Sequence, residues 1–229
     1  MSSSQQVTLV ESLDHEGRGV AHVDGKTLFI SGALPYEIVH YQPYRKKSNF
    51  ELADTIAVVK DSFLRTAPLC PYFGTCGGCS MQHVEFSAQV AIKQRVLEDS
   101  LKHIGGLRPD QVLPAITGPS WGYRHRARLS ARLVDKKGGV LVGFHEKHSR
   151  FIADMTQCLV LPASISALVT PLRELILSLS INRRLPQVEV AVGDKVDILV
   201  FRIMENINAD DYQRIKAFAD KYSQPQRPL

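Results

Sequence analysis

At 229 residues, with 44% hydrophobic and 22% charged side chains, the chain has room for one or two domains with a buried core and no need of disulfide staples. Lys and Arg outnumber Asp and Glu by 28 to 23, a formal charge of +5, which leans towards a polyanionic partner such as nucleic acid and equally fits a slightly basic globular protein without one. The start, MSSSQQVTLVESLDHEG, lacks the basic region of a signal peptide, and no stretch is long enough to span a bilayer. A cytoplasmic chain with no membrane partner is therefore expected.

In chain order, residues 7–13, 19–25, 26–31, 37–44 and 52–59 read as short, β-rich, partly alternating segments. Asp24-Gly25 is a hairpin signal, and Gly32 and Pro35 break the chain again. Five short strands joined by tight turns predict a small OB-like β-barrel. An irregular stretch, 61–83, carries most of the cysteines. Residues 87–106 predict a helix with Val90, Leu97, Leu101 and Ile104 on one face, Ser87 as cap and Gly105-Gly106 as stop. A proline-bearing connector (107–120) leads to a strictly alternating strand, 123–135, which KKGG (136–139) turns back into 140–146. A further strand is expected at 151–155 and a helix at 164–180, bent or started by Pro171. A second hairpin follows around Gly193-Asp194, then a helix at 209–222 with Asn208 as cap. The closing SQPQRPL reads as a connector. The fold class is thus α+β: a barrel domain over 1–62 and a mixed central domain over 63–229.

CPYFGTCGGCSMQH (70–83) places Cys70, Cys76 and Cys79 at spacing C-x5-C-x2-C, and Cys158 stands alone. In a reducing compartment such thiols point to a metal or cluster before disulfides. Structural zinc sites usually bring two short C-x2–4-C pairs, and ferredoxin runs use C-x2-C-x2-C, so neither pattern matches. A cubane [4Fe–4S] cluster fits, with three thiolates from one loop and one from a distant segment. Gly77-Gly78 would let the backbone approach it closely. Zinc, and thiols buried as small hydrophobes, remain the alternatives.

In YRHRARLSARL, Arg124, Arg126, Arg128 and Arg132 occupy even positions, so a strand projects all four from one side and Ala127, Leu129, Ala131 and Leu133 from the other. Such a face suits RNA phosphates, or a solvated face with local salt bridges. Arg45, Lys46 and Lys47 lie between Tyr44 and Phe50, a basic–aromatic mixture suited to single-stranded RNA, and His15 and Arg18 lie in a glycine-rich turn. His83 reads as a core or supporting histidine, and Trp121 and Tyr123 as core.

The cysteine loop, WGYRHRARLS (121–130) and TQC (156–158), together with LDHEGRGVAHVDGKTLFISGALPYE, closely resemble the RlmD-type (RumA-type) 23S rRNA (uracil-5-)-methyltransferases over residues 7–222. The resemblance implies an N-terminal TRAM barrel that binds RNA, and a [4Fe–4S] cluster on Cys70, Cys76, Cys79 and Cys158. One departure is Leu159, where the family commonly has proline. The family adds a cysteine thiolate to uracil C6 so that C5 takes the methyl of S-adenosylmethionine, giving 5-methyluridine. That needs a further cysteine, a carboxylate base and a glycine-rich cofactor loop. All four cysteines here are assigned to the cluster and no such loop is legible. The resemblance places that apparatus in a Rossmann-type domain after residue 229, and the 229 residues alone are expected to be inactive. The expected partner is 23S rRNA, with no obligate protein partner evident. A stand-alone RNA-binding or redox-sensing iron–sulfur module, and a tRNA uracil-5 methyltransferase relative, are the alternatives.

Overall fold

The computed structural model describes residues 6–223. It is a mixed α+β protein whose packing defines two compact units, which among the described residues are 6–73 with 79–117 and 74–78 with 118–223. By packing, then, residues 63–73 and the first helix go with the barrel segment, not with the central segment as the sequence division at 62/63 has it. The connector expected at 223–229 lies, after Ser223, outside the described residues.

The first unit contains β1 (Gln6–Leu9), β2 (Ser12–Leu13), β3 (Gly19–Val23), β4 (Lys26–Ser31), β5 (Ile38–Lys46) and β6 (Phe50–Lys60). They form one sheet in the order β1-β5-β6-β4-β3-β2. The two edges, β1 and β2, are separated only by Val10 and Glu11, so the sheet meets itself in one bent strand. The single strand expected at 7–13 is this bent pair. All pairings are antiparallel except β4 with β6. Val10, Ala21, Leu28, Ile30, Ala33, Val39, Tyr41 and Ala53 fill the interior. The β3–β4 turn places Asp24 and Gly25 at φ 49° and 76°, the left-handed pair that a two-residue hairpin requires. Gly19 admits no side chain, because a Cβ there would lie 2.8 Å from Val10 Cγ1 and 2.9 Å from Ala33 Cβ.

Beneath this sheet Glu37 is fully buried. Its carboxylate accepts the N–H of Leu34 (2.8 Å) and of Ser62 (3.2 Å), and both Nε and Nη2 of Arg65. Arg65 Nη2 also donates to the Gly32 carbonyl at 2.8 Å. Burial pushes the Glu37 carboxyl up, but the Arg65 hydrogen bond and charge and the two backbone N–H groups outweigh it and hold it below the ordinary range.

Helix α1 (Phe86–His103) matches the expected helix, but its cap is Glu85, whose side chain accepts the Ala88 N–H at 3.1 Å. Ser87 instead donates its hydroxyl to Glu85. The packed face also differs from the expected one. Ala88 and Ile92 join Leu34 and Val84, with Leu13, Leu64 and Met81, in a second small core, whereas Leu97 and Ile104 are exposed. A helical periodicity finds an apolar stripe; it does not say whether that stripe meets a core.

The second unit holds β7 (Arg126–Val134), β8 (Gly139–Gly143), β9 (Gln187–Val192) and β10 (Asp197–Arg202) in the antiparallel order β10-β9-β7-β8, with α2 (Ala163–Ser166), α3 (Val169–Ser178) and α4 (Ala209–Tyr222). Ala127, Leu129 and Ala131 of β7 are buried as the alternation predicts, with Val140, Val142, Val188 and Val190. Helix α3 packs on β8 through an apolar face that includes the buried Leu172, Leu175 and Ile176. Pro171 stands in its first turn, where the missing N–H costs nothing. The strand expected at 151–155 is reduced to an isolated bridge between His145 and Ile152. Asn208 caps α4 by accepting the Asp211 N–H at 2.8 Å.

Candidate functional site

The four cysteines are reduced thiols, Cys158 buried and the other three half-buried. Cys70 and Cys79 belong to the first unit, Cys76 and Cys158 to the second. Among the described residues no three or more of His, Cys, Asp and Glu are grouped as the ligands of a metal ion. The donor chemistry nevertheless suits a thiolate-bound group. Cys76 Sγ accepts the Gly78 N–H at 3.4 Å, the kind of contact that stabilises a thiolate. The Gly77-Gly78 turn is a cradle with no room for side chains: a Cβ on Gly78 would lie 2.9 Å from the Phe144 ring and 3.4 Å from Cys76 Sγ, and one on Gly77 would lie 3.0 Å from the His145 carbonyl.

The segment 74–78 is held in the second unit by backbone pairing. Gly77 N–H donates to the His145 carbonyl and Lys147 N–H to the Thr75 carbonyl, each at 2.8 Å, and Cys76 bridges Glu146. Cys158 sits in a turn before α2, its N–H donated to Ser166 Oγ at 2.9 Å. His83, two residues beyond Met81 in the first unit, is buried with its ring 5.3 Å from that of Phe73, as a core histidine should be.

The arginine strand divides into three fates. Arg124 is not on the common face. It precedes β7, is half-buried, and its Nη1 donates to the Gly78 carbonyl at 3.3 Å while the guanidinium lies 4.8 Å from the centre of the Phe144 ring. The alternation fails there because residues 122–124 pair with 159–160 and not with the sheet. Arg126 and Arg128 are exposed on β7. Arg128 faces Glu189 across the strand pair at 4.0 Å, and Arg202 takes the same carboxylate at 2.9 Å. The Arg202 hydrogen bond holds the Glu189 carboxyl below its ordinary range, with the Arg128 charge adding to it. Arg132 lines a cavity of about 640 Å³ with Arg150, Arg183, His145, Ser130 and Asn182. Among the described residues no Asp or Glu lines it. Arg183 is paired with Asp135 at 2.7 Å, whereas Arg132 and Arg150 are exposed and form no ion pair among the described residues. Arg150 and Arg183 could not be found from sequence, because neither belongs to the alternating run. Tyr123, expected in the core, is exposed, and Trp121 is half-buried.

In the first unit Arg45, Lys46 and Lys47 are exposed at the β5–β6 end, with Lys46 Nζ 3.9 Å from Glu51. Arg18 is engaged by its own turn: Nη2 and Nε each lie 2.7 Å from Asp14, Nη1 is 3.1 Å from Glu16, and the guanidinium covers Phe29 at 4.8 Å. A pair that sequence reading missed is Tyr36 and Phe63, whose rings stack at 5.6 Å and 21° although both are exposed. Tyr36 has φ 72°, uncommon for a bulky residue, and each ring flanks a residue of the Glu37 network.

The fold is shared with a solved structure. The fold superposes with a TM-score of 0.65 and 20% identity on the crystal structure of Pyrococcus abyssi tRNA (uracil-54, C5)-methyltransferase in complex with S-adenosyl-L-homocysteine, covering 93% of this chain and 49% of that one. By fold, then, the chain matches part of an RNA uracil-C5 methyltransferase. No family model matches it. It is 66% identical over 229 residues to the 23S rRNA (uracil(1939)-C(5))-methyltransferase RlmD of Chromobacterium violaceum, covering all of this chain and 45% of that protein. The proteins of the same name from Nitrosospira multiformis and Burkholderia ambifaria are 61% and 56% identical over 214 and 219 residues. The chain spans about half the length of these relatives. Along its whole length it resembles the RlmD-type 23S rRNA (uracil-5-)-methyltransferases, and it corresponds to their N-terminal half. Among the described residues no helix is long and apolar enough to cross a membrane.

Proposed function

We propose that this chain is the RNA-gripping, cluster-bearing half of an S-adenosylmethionine-dependent 23S rRNA (uracil-C5)-methyltransferase that forms 5-methyluridine. The observation that carries this reading is the 66% identity along all 229 residues to a relative of that name. The fold neighbour is named for tRNA, but at 20% identity it speaks for fold alone. S-adenosylmethionine and the nucleophilic cysteine belong, on this reading, to the half of the relatives that the chain does not match. The first unit is an OB-like TRAM barrel, a reading supported by its self-closing strand order.

Phosphates of the RNA sit against Arg132 and Arg150, since two unpaired guanidinium groups lining one cavity without a carboxylate repel each other until an anion arrives. Arg45, Lys46 and Lys47 of the first unit add backbone contacts, as do Arg126 and Arg128 on β7 of the second. The exposed Tyr36–Phe63 stack offers a face to an unpaired base. Arg18, held by Asp14 and Glu16, keeps its turn in shape. Cys70, Cys76, Cys79 and Cys158 hold a [4Fe–4S] cluster. A cubane places each thiolate on a different iron, so its ligands lie farther apart than those of a single ion. When bound, the cluster would supply the irons that the four thiolates bind, and so would order the cysteine loop.

The test is binding of the 229-residue chain to a fragment of large-subunit rRNA, with a tRNA transcript as competitor, across a salt series. Salt-dependent binding that the rRNA fragment competes for better than tRNA is expected. Binding that tRNA displaces equally well would overturn the choice of rRNA, and no binding at low salt would overturn the RNA reading.

A further inference from the structure

Two of the four cysteines, Cys76 and Cys158, lie in the same packing unit on segments 82 residues apart in sequence, and one residue touches the surroundings of both. Arg124 is bound at its backbone to the Cys158 turn: its N–H donates to the Val160 carbonyl at 2.8 Å, and the N–H of Gly122 donates to the Leu159 carbonyl at 3.0 Å. Its guanidinium is bound to the Cys76 turn, with Nη1 3.3 Å from the Gly78 carbonyl. Phe144 completes the arrangement. It lies 4.8 Å beneath the guanidinium and is the wall that a Cβ at Gly78 would strike. The ring therefore fixes the planes of both the arginine and the Gly77-Gly78 turn.

We propose that Arg124 is a positioning residue for the iron–sulfur group and not an RNA contact: it clamps the Cys76 turn to the Cys158 turn and sets a fixed cation beside the thiolates. This rests on the cluster reading of the four cysteines. Arginine suits the task for three reasons. It stays charged at any working pH, its planar fork can bond a carbonyl while stacking on a ring, and its charge opposes that of a group held by four thiolates. The other arginines of the strand do not share this role, since Arg126 is exposed on β7 and Arg128 is directed at Glu189. Residues that orient metal ligands without touching the metal typically change affinity ten- to a hundredfold when replaced.

The test compares the wild-type chain with Arg124→Gln, Arg124→Lys and, as a control on the exposed face of α1, Arg95→Gln. Each is purified without oxygen. Iron and acid-labile sulfide per chain are measured, and loss of the visible cluster absorbance is followed after adding a chelator. Wild type and Arg95→Gln should retain the cluster alike. Arg124→Gln should lose it about tenfold faster or more with an unchanged far-UV circular dichroism spectrum. Arg124→Lys, which keeps charge without the fork, should fall between and remains informative if the Gln variant does not fold. Equal lifetimes for wild type and both Arg124 variants would overturn the clamp while leaving the cluster reading intact. A wild-type chain that holds no iron or sulfide would overturn both.

Discussion

Replacing Glu37 with Ala removes the one acceptor shared by Leu34 N–H, Ser62 N–H and the Arg65 guanidinium. Arg65 keeps its bond to the Gly32 carbonyl, but its charge loses its partner. Truncating one partner of a buried ion pair typically costs about 3–5 kcal/mol, against a domain stability of about 5–15 kcal/mol. The expected result is a first unit with about a fifth or more of its stability lost. The sole tryptophan, Trp121, lies in the second unit and would not report this. The assay is therefore amide hydrogen exchange read on peptides from β3–β4 and β5–β6. Their slowest amides should exchange about a hundredfold faster or more, since each 1.4 kcal/mol is about tenfold. Glu37→Gln keeps one acceptor oxygen and should lose less. The double variant Glu37→Met, Arg65→Met should not recover wild-type protection, because the two backbone N–H groups stay unsatisfied. Protection in Glu37→Ala within about threefold of wild type would refute the claim that this carboxylate locks residues 62–65 to the sheet.

Acidification should act on the same group. A carboxyl held below its unfolded value of about 4.3 contributes stability that is complete above that pH and is lost as the pH falls through the folded value. Asp211 behaves alike in the second unit: burial pushes it up, but the Ser180 hydroxyl and N–H, the Asn208 backbone N–H and the Arg214 charge hold it low. Both units should therefore lose stability below about pH 4 in an acid titration followed by circular dichroism; a flat profile down to pH 2 would count against both networks. Replacing Arg132 and Arg150 together with Ala should reduce the slope of log affinity for single-stranded rRNA against log salt by about 1.4, and an unchanged slope would make the cavity structural. Phe63→Ala should weaken that binding by about 1–3 kcal/mol without destabilising the sheet, as Phe63 is 81% exposed; unchanged affinity would remove the stacking role. Gly143→Ala should destabilise the second unit by about 1–3 kcal/mol in urea titration, because the added Cβ would lie 2.8 Å from Met155 Cγ and 3.1 Å from the Ala153 carbonyl.

Much of this was legible in the sequence where one physical signal dominates. Period-two alternation marks Ala127, Leu129 and Ala131 as the buried side of β7. Asp24-Gly25 and Asn208 mark a turn and a cap through local chemistry that needs no tertiary partner. What failed depended on contacts across long sequence distances. Arg124 shares the parity of Arg126 and Arg128, yet it is taken from the sheet by backbone pairing with residues 159–160. Leu97 and Ile104 have the right period and no core to meet. Ser87 is an apt cap residue, displaced because Glu85 reaches the Ala88 N–H first. The cavity around Arg132 draws Arg150 and Arg183 from separate loops, and no window along the chain contains all three.

The bent first strand has a consequence for the order of assembly. Residues 6–13 pair with β5 on one side and β3 on the other, so the sheet cannot close until β5 exists, and the parallel β4–β6 pairing waits for residues 50–60. These are non-local contacts, the kind that form slowly. In N- to C-terminal synthesis, β1 stays without its β5 partner until Ile38–Tyr41 have followed, about thirty residues later. The ring then closes around Glu37 only when Arg65 arrives. Cys70 follows five residues later. Every residue of the sheet and of its lock is thus synthesised ahead of Cys70, so the partners that strand closure needs include no segment that carries a cysteine.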